Sequence, residues 1–153
     1  MRGRWMGWLV AAGIVASALA AEPSIGEASH KGDNPKKHKI FYHFNEADPK
    51  KASAVLTNIQ NHIDVVGWKN IEDLVLVAHG PGLTPFLRKT MDPEVKGKLD
   101  RLLTGGLSFA ACEITMQRRS IKVEELAEGV GTTPSGVVRV MELQEKGYAY
   151  IRP

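Results

Sequence analysis

A chain of 153 residues, 43% apolar and 24% charged, has the composition of one soluble domain with enough apolar material for a sizeable core. Its formal charge is +3, but Arg2 and Arg4 fall in a leader, and without them 18 basic residues face 17 acidic ones. That near-neutrality excludes the concentrated basic face nucleic-acid binding needs, and the short run Lys36, Lys37, Lys39 reads as a solvated strand entrance.

Residues 1–20 have the order of a secretory signal peptide. Arg2 and Arg4 come first, uncharged Trp8 to Leu19 follows, and Ala18-Leu19-Ala20 gives the small-x-small pattern of a cleavage site. The mature chain is expected to start near Ala21 and to be periplasmic, with no membrane segment after cleavage. An uncleaved anchor is the competing reading, although a span needs roughly 20 apolar residues. Residues 21–36 are polar, hold Gly, Pro and Ser, and read as a flexible lead-in, His30 included. One α/β domain is expected over 37–153.

Lys39 to Asn45 (KIFYHFN) is dense in β-formers and predicts a first strand, with His43 near its end. Asp48-Pro49 signals a helix start, and Ala52, Val55, Leu56, Ile59, Ile63 and Val66 form one helical stripe closed by Gly67. His62 flanks that stripe as a boundary residue. Leu74 to Ala78 (LVLVA) is apolar without alternation, the mark of a strand covered on both faces. It runs into His79-Gly80-Pro81-Gly82, a turn whose glycines allow close backbone approach to a ligand. A short helix over Pro85 to Met91 is followed by a longer one from Asp92-Pro93, stopped by Gly105-Gly106. Leu107 to Cys112 is a buried strand, and Lys122 to Glu128 predicts a short helix. Gly129 to Gly136 is a loop with a brief strand near Val130, Ser135 caps a last helix to about Glu145, and Tyr148 to Ile151 ends the chain as a strand. Strands alternating with helices give a three-layer α/β sandwich: a mostly parallel sheet of four or five strands with helices on both faces.

Ligands of such sheets bind outside the carboxyl ends of the strands. His43, His79 and Cys112 all fall there. Cys112 is the one cysteine in the sequence, so in an oxidising compartment it is either buried and inert or exposed and reactive. An imidazole is placed to take its proton, and Arg118, Arg119 and a helix start are placed to lower its pKa. There is no GxGxxG and no GKS or GKT, so no nucleotide cofactor is expected.

Cys112 followed by five residues and Arg118-Arg119, the turn His79 to Gly82 after a Val-rich strand, and the closing LQEKGYAYIRP together resemble the DsrE/DsrF-like sulfur-relay family, in its exported single-domain branch. Ser120 stands where that family usually has Gly. The resemblance implies a five-stranded parallel sheet, homo-oligomers of three or more copies, and a cysteine that carries sulfur as a persulfide. Carried over by position, Cys112 is the sulfur carrier, working between a sulfane-sulfur donor and an acceptor thiol protein. Two other readings remain open at this point. One is a metal- or haem-binding module using Cys112, His79 and His43; the other is a structural oligomer with an inert cysteine.

Overall fold

The computed structural model describes residues 37–153; the leader and lead-in expected over 1–36, with His30, lie outside them. Five strands and four α-helices follow one another: β1 His38–Phe44, α1 Pro49–Val66, β2 Ile71–Ala78, α2 Pro93–Gly105, β3 Ser108–Cys112, α3 Glu113–Arg118, β4 Gly131–Thr133, α4 Gly136–Glu145 and β5 Ala149–Ile151. The sheet order is β4-β3-β2-β1-β5, parallel throughout, so the chain steps outward from β1 and then crosses back to its other side. The expected α/β sandwich with a five-stranded sheet is what the chain forms.

The helix boundaries follow from local chemistry. The Asp48 carboxylate accepts the Lys50 N–H at 2.8 Å, Pro49 opens α1 where its missing N–H is harmless, and Gly67 closes it at φ 79°. Asp92 and Pro93 repeat that start at α2, and Gly106 stops it in the left-handed region.

Two expected helices give way to tertiary contacts. In place of a helix over Pro85 to Met91, the 3-10 turns run earlier, over Gly80–Phe86, because Leu87 leaves them to bridge Leu126. That bridge also limits the helix expected over Lys122 to Glu128 to the single turn Val123–Glu125. The Arg88 N–H takes the Glu125 carbonyl and the Ala127 N–H takes that of Phe86, holding both segments extended. A third difference matters more. A helix, α3, starts immediately after Cys112, so Arg118 and Arg119 lie at a helix end, not at its start.

Alternation along the strands sorts their side chains onto two faces. Ile40, Tyr42, Phe44, Leu74, Leu76, Ala78, Phe109 and Ala111 pack with α1 and α2 through Leu56, Ile59, Leu99 and Leu102 in the main core. The opposite face buries Phe41, Val75, Val77 and Ala110 under α4, which contributes Leu143. Val137 and Met141 of α4 remain 65% and 50% exposed.

Candidate functional site

The register assembles the site. His43 pairs with Val77, Val77 with Ala110, and Phe41 with Tyr150. Period-two alternation then puts His43, His79, Cys112 and Tyr150 on the α4 face, with His79 and Cys112 each one step past the Ala78–Ala111 pair. The carboxyl ends of three neighbouring strands thus bring together the three residues expected there.

Cys112 is 5% exposed and caps the start of α3. Burial pushes its thiol pKa up, but the nearby Thr115 hydroxyl and the backbone N–H groups of Gly136, Thr115 and Ile114 favour the thiolate, and the balance falls below the ordinary value. The Thr115 oxygen in turn accepts the Gly80 N–H at 2.8 Å, which ties the His79 turn to the cysteine. Gly136, the first residue of α4, is what lets that helix come so near. A Cβ there would stand 2.9 Å from the His79 Cβ and 3.1 Å from that of Cys112, closer than side chains tolerate.

The two histidines meet edge to edge, Nε2 to Nε2 at 2.7 Å, with ring centroids 4.9 Å apart and planes inclined by 27°. The Tyr150 hydroxyl reaches the Nδ1 of His43 at 3.0 Å. Burial, then the neighbouring His79, then Arg152 push the His43 pKa down to about 4. Burial and then Arg152 lower that of His79. Both rings are therefore held neutral. Among the described residues no set of three His, Cys, Asp or Glu side chains is arranged to hold a metal, so Cys112 does not complete a ligand set with the pair.

The arginines do other work than expected. Arg119 donates to the Gly80 carbonyl at 3.2 Å and to the Thr84 hydroxyl at 2.9 Å, fastening the turn after β2. Arg118 is exposed at the end of α3. Neither is among the groups that shift the thiol pKa. Gly82 does admit close backbone, but the backbone is the protein's own: a Cβ would lie 2.6 Å from the Phe44 carbonyl. His62 bonds the Tyr42 hydroxyl through Nδ1 at 2.9 Å on the main-core side of the sheet. Beyond His43 lies a cavity of about 280 Å3, lined by Asn45, Lys51, Asn58 and Arg152 among others.

Thr115, Gly136, Tyr150 and Arg152 belong to the site and were not singled out from the sequence. Thr115 was within reach: once a helix is placed directly after Cys112, position i+3 faces back toward it. Gly136 and Tyr150 needed the pairing of β1 with β5 and the path of α4, which no local pattern carries.

The fold is an all-parallel α/β domain that carries a thiol of lowered pKa at a strand end, beside a neutral histidine pair. The chain belongs to the DsrE/DsrF-like family, whose sequence model matches residues 29–153. No curated protein matches it. Among solved structures it is similar to a protein of unknown function, MTH1491 of Methanobacterium thermoautotrophicum, at 28% identity and a TM-score of 0.65, over 76% of this chain and all of that one. The ychN protein of E. coli shares the fold at 18% identity and a TM-score of 0.60, over 76% of this chain and 99% of that one. Family membership points to sulfur relay through thiol partners in general. Among the described residues no helix is long and apolar enough to cross a membrane.

Proposed function

We propose that this protein is an exported sulfur carrier in which Cys112 holds sulfane sulfur as a persulfide. The observation that carries the reading is the placement of Cys112, buried at the end of β3 and the start of α3 and packed with His79 against Gly136. There its pKa is lowered by the Thr115 hydroxyl and the N–H groups of Ile114, Thr115 and Gly136. They favour thiolate, the nucleophilic form. The thiolate attacks the outer sulfur of a donor R–S–SH; the donor's S–S bond breaks, R–S⁻ leaves, and Cys112–S–SH forms. An acceptor thiolate then attacks that outer sulfur and releases Cys112 as thiolate. The same donors serve both steps, because whatever stabilises the thiolate as nucleophile also improves it as leaving group. Neither step changes the total oxidation state, so no redox cofactor is required. The narrow exposure of Cys112 suits a donor whose transferred sulfur is terminal.

The chain acts as carrier or transferase between a donor and an acceptor thiol protein. Export rests on the sequence alone, on Arg2, Arg4, the apolar run to Leu19 and Ala18-Leu19-Ala20. Assembly into homo-oligomers of three or more copies would cover the exposed Val137, Val138 and Met141 of α4.

Native mass spectrometry of the mature chain after polysulfide exposure tests the reading. The expected result is a gain of about 32 Da per sulfur on each subunit of an assembly. Cys112→Ser should keep fold and assembly and lose the gain entirely. Wild type that takes up no sulfur, or Cys112→Ser that still does, overturns the carrier role.

A further inference from the structure

Tyr150, His43 and His79 touch in single file, Oη to Nδ1 at 3.0 Å and Nε2 to Nε2 at 2.7 Å. We propose that they work as one proton chain, taking the proton shed by Cys112 chemistry at the Nδ1 of His79 and releasing one to solvent from the Tyr150 hydroxyl. The inference rests on Cys112 being a reactive thiol, as argued above.

The geometry allows only two arrangements. An N–H···N bond between neutral imidazoles holds one proton, so each ring's remaining nitrogen is fixed by which ring donates. In the first arrangement His79 donates from Nε2, His43 carries its proton on Nδ1 and gives it to the Tyr150 oxygen, and the Nδ1 of His79 is a bare base. In the second every bond is reversed: Tyr150 donates to His43, His43 donates to His79, and His79 carries its proton on Nδ1. Passing from the first to the second takes up a proton at His79 Nδ1 and shifts one across each bond. The proton formerly on the phenol leaves for water. Protons balance, and neither ring finishes cationic.

Three further observations fit that use. The cluster is poorly suited to storing charge, since burial and the Arg152 guanidinium both oppose imidazolium at His43 and His79. A proton accepted there must move on. Tyr150 is 43% exposed on the edge strand β5, so the chain ends at water. Its inner residue, His79, is a neighbour of Cys112: a Cβ on Gly136 would stand 2.9 Å from the His79 Cβ and 3.1 Å from that of Cys112. Tyr150 is then a positioning residue: by accepting from His43 it keeps the Nδ1 of His79 unprotonated.

The test reads tautomers and thiol reactivity separately. In wild type, 15N spectra of the histidine side chains should show His43 protonated on Nδ1, His79 on Nε2, and a scalar coupling across their bond. Tyr150→Phe keeps the ring that packs 5.2 Å from Phe41 but removes the acceptor. Without the phenol oxygen the His43 Nδ1–H loses its fixed acceptor and the first arrangement its advantage, so the polarity should invert. Alkylation of Cys112 by iodoacetamide should then slow about tenfold at neutral pH. The deficit should close as the pH rises past the thiol's own ionisation, which a merely structural defect would not do. The opposite polarity in wild type, unchanged tautomers in Tyr150→Phe, or a deficit independent of pH overturns the chain. Iodoacetamide reads the thiol without sulfur, so a wild type that fails to load persulfide ends the carrier reading and leaves this test standing.

Discussion

The two faces of the sheet are built for different ends. Under α1 and α2, aliphatic and aromatic side chains from β1, β2 and β3 meet two long helices in one continuous core. Under α4, the buried cluster is only five residues: Phe41, Val75, Val77, Ala110 and Leu143. His43, His79, Cys112 and Tyr150 all belong to this thinner face, at its carboxyl edge. Burying a thiol and two neutral imidazoles forgoes hydration that apolar groups never had, and the larger core opposite offsets that cost. Strand alternation makes the division possible within single segments: in β1, Tyr42 and Phe44 serve the core while His43 between them serves the site.

Matched truncations give the sharpest test of that division. Leu56 of α1 and Leu143 of α4 are both fully buried, so replacing either with Ala should cost about 2–5 kcal/mol in denaturant unfolding. Their effects on the thiol should part. Leu56→Ala leaves the α4 face intact, and the pH midpoint of Cys112 alkylation should stay in place. Leu143→Ala removes the buried anchor of α4, loosens the Gly136 N–H from the sulfur, and should move that midpoint up. Equal midpoints in the two variants would break the comparison.

Acid should find the thinner face next. His43 titrates at about 4 when folded, against about 6.5 for an unperturbed imidazole. A depressed folded pKa means that the unfolded chain binds the proton first. The contribution of neutral His43 is therefore complete above about pH 6.5 and is lost as the pH falls toward 4. Urea midpoints across that window should decline in wild type and decline less in His43→Gln. A parallel decline in both would mean that the acid sensitivity lies elsewhere, with His62 of the opposite side the next group to examine.

The fold was largely legible because its signals are local. Asp48-Pro49 with Gly67, Asp92-Pro93 with Gly106, and Ser135 bound helices whose chemistry is complete within a few residues. The apolar run into Ala78 marked a covered strand without any partner in view. The site was legible in part. Strand ends named His43, His79 and Cys112, since the carboxyl edge of a parallel sheet follows from the strands themselves. The charges that lower the thiol pKa were sought in Arg118 and Arg119, the nearest cations in sequence. The groups that do so are neutral: one is three residues away in a helix placed too late, and another is Gly136, brought in by a crossover. Glycine offers a sequence reader no side chain to notice, and its value here is that it has none.

The smallest effect is expected at Ser120, where the cost of a backbone conformation can be isolated. Ser120 has φ 52°, the single positive φ at a non-glycine residue among the described residues. It ends α3 in a recognisable closure: the Ile121 N–H returns to the Met116 carbonyl at 2.8 Å and the Ser120 N–H to that of Gln117 at 3.2 Å. This is the helix end in which the left-handed position is usually Gly. An L side chain there costs roughly 1 kcal/mol, and glycine would give back roughly 0.5 kcal/mol through a freer unfolded chain. Ser120→Gly should therefore stabilise by about 0.5 kcal/mol, a rise of about 2 °C in Tm for a domain of this size. The turn lies beyond Thr115 and does not touch the sulfur, so alkylation of Cys112 should be unchanged at every pH. A variant that loses stability would mean that the Ser120 side chain contributes more than its backbone costs. One that also alters the thiol would mean that the end of α3, and not α4 alone, governs the reactive face.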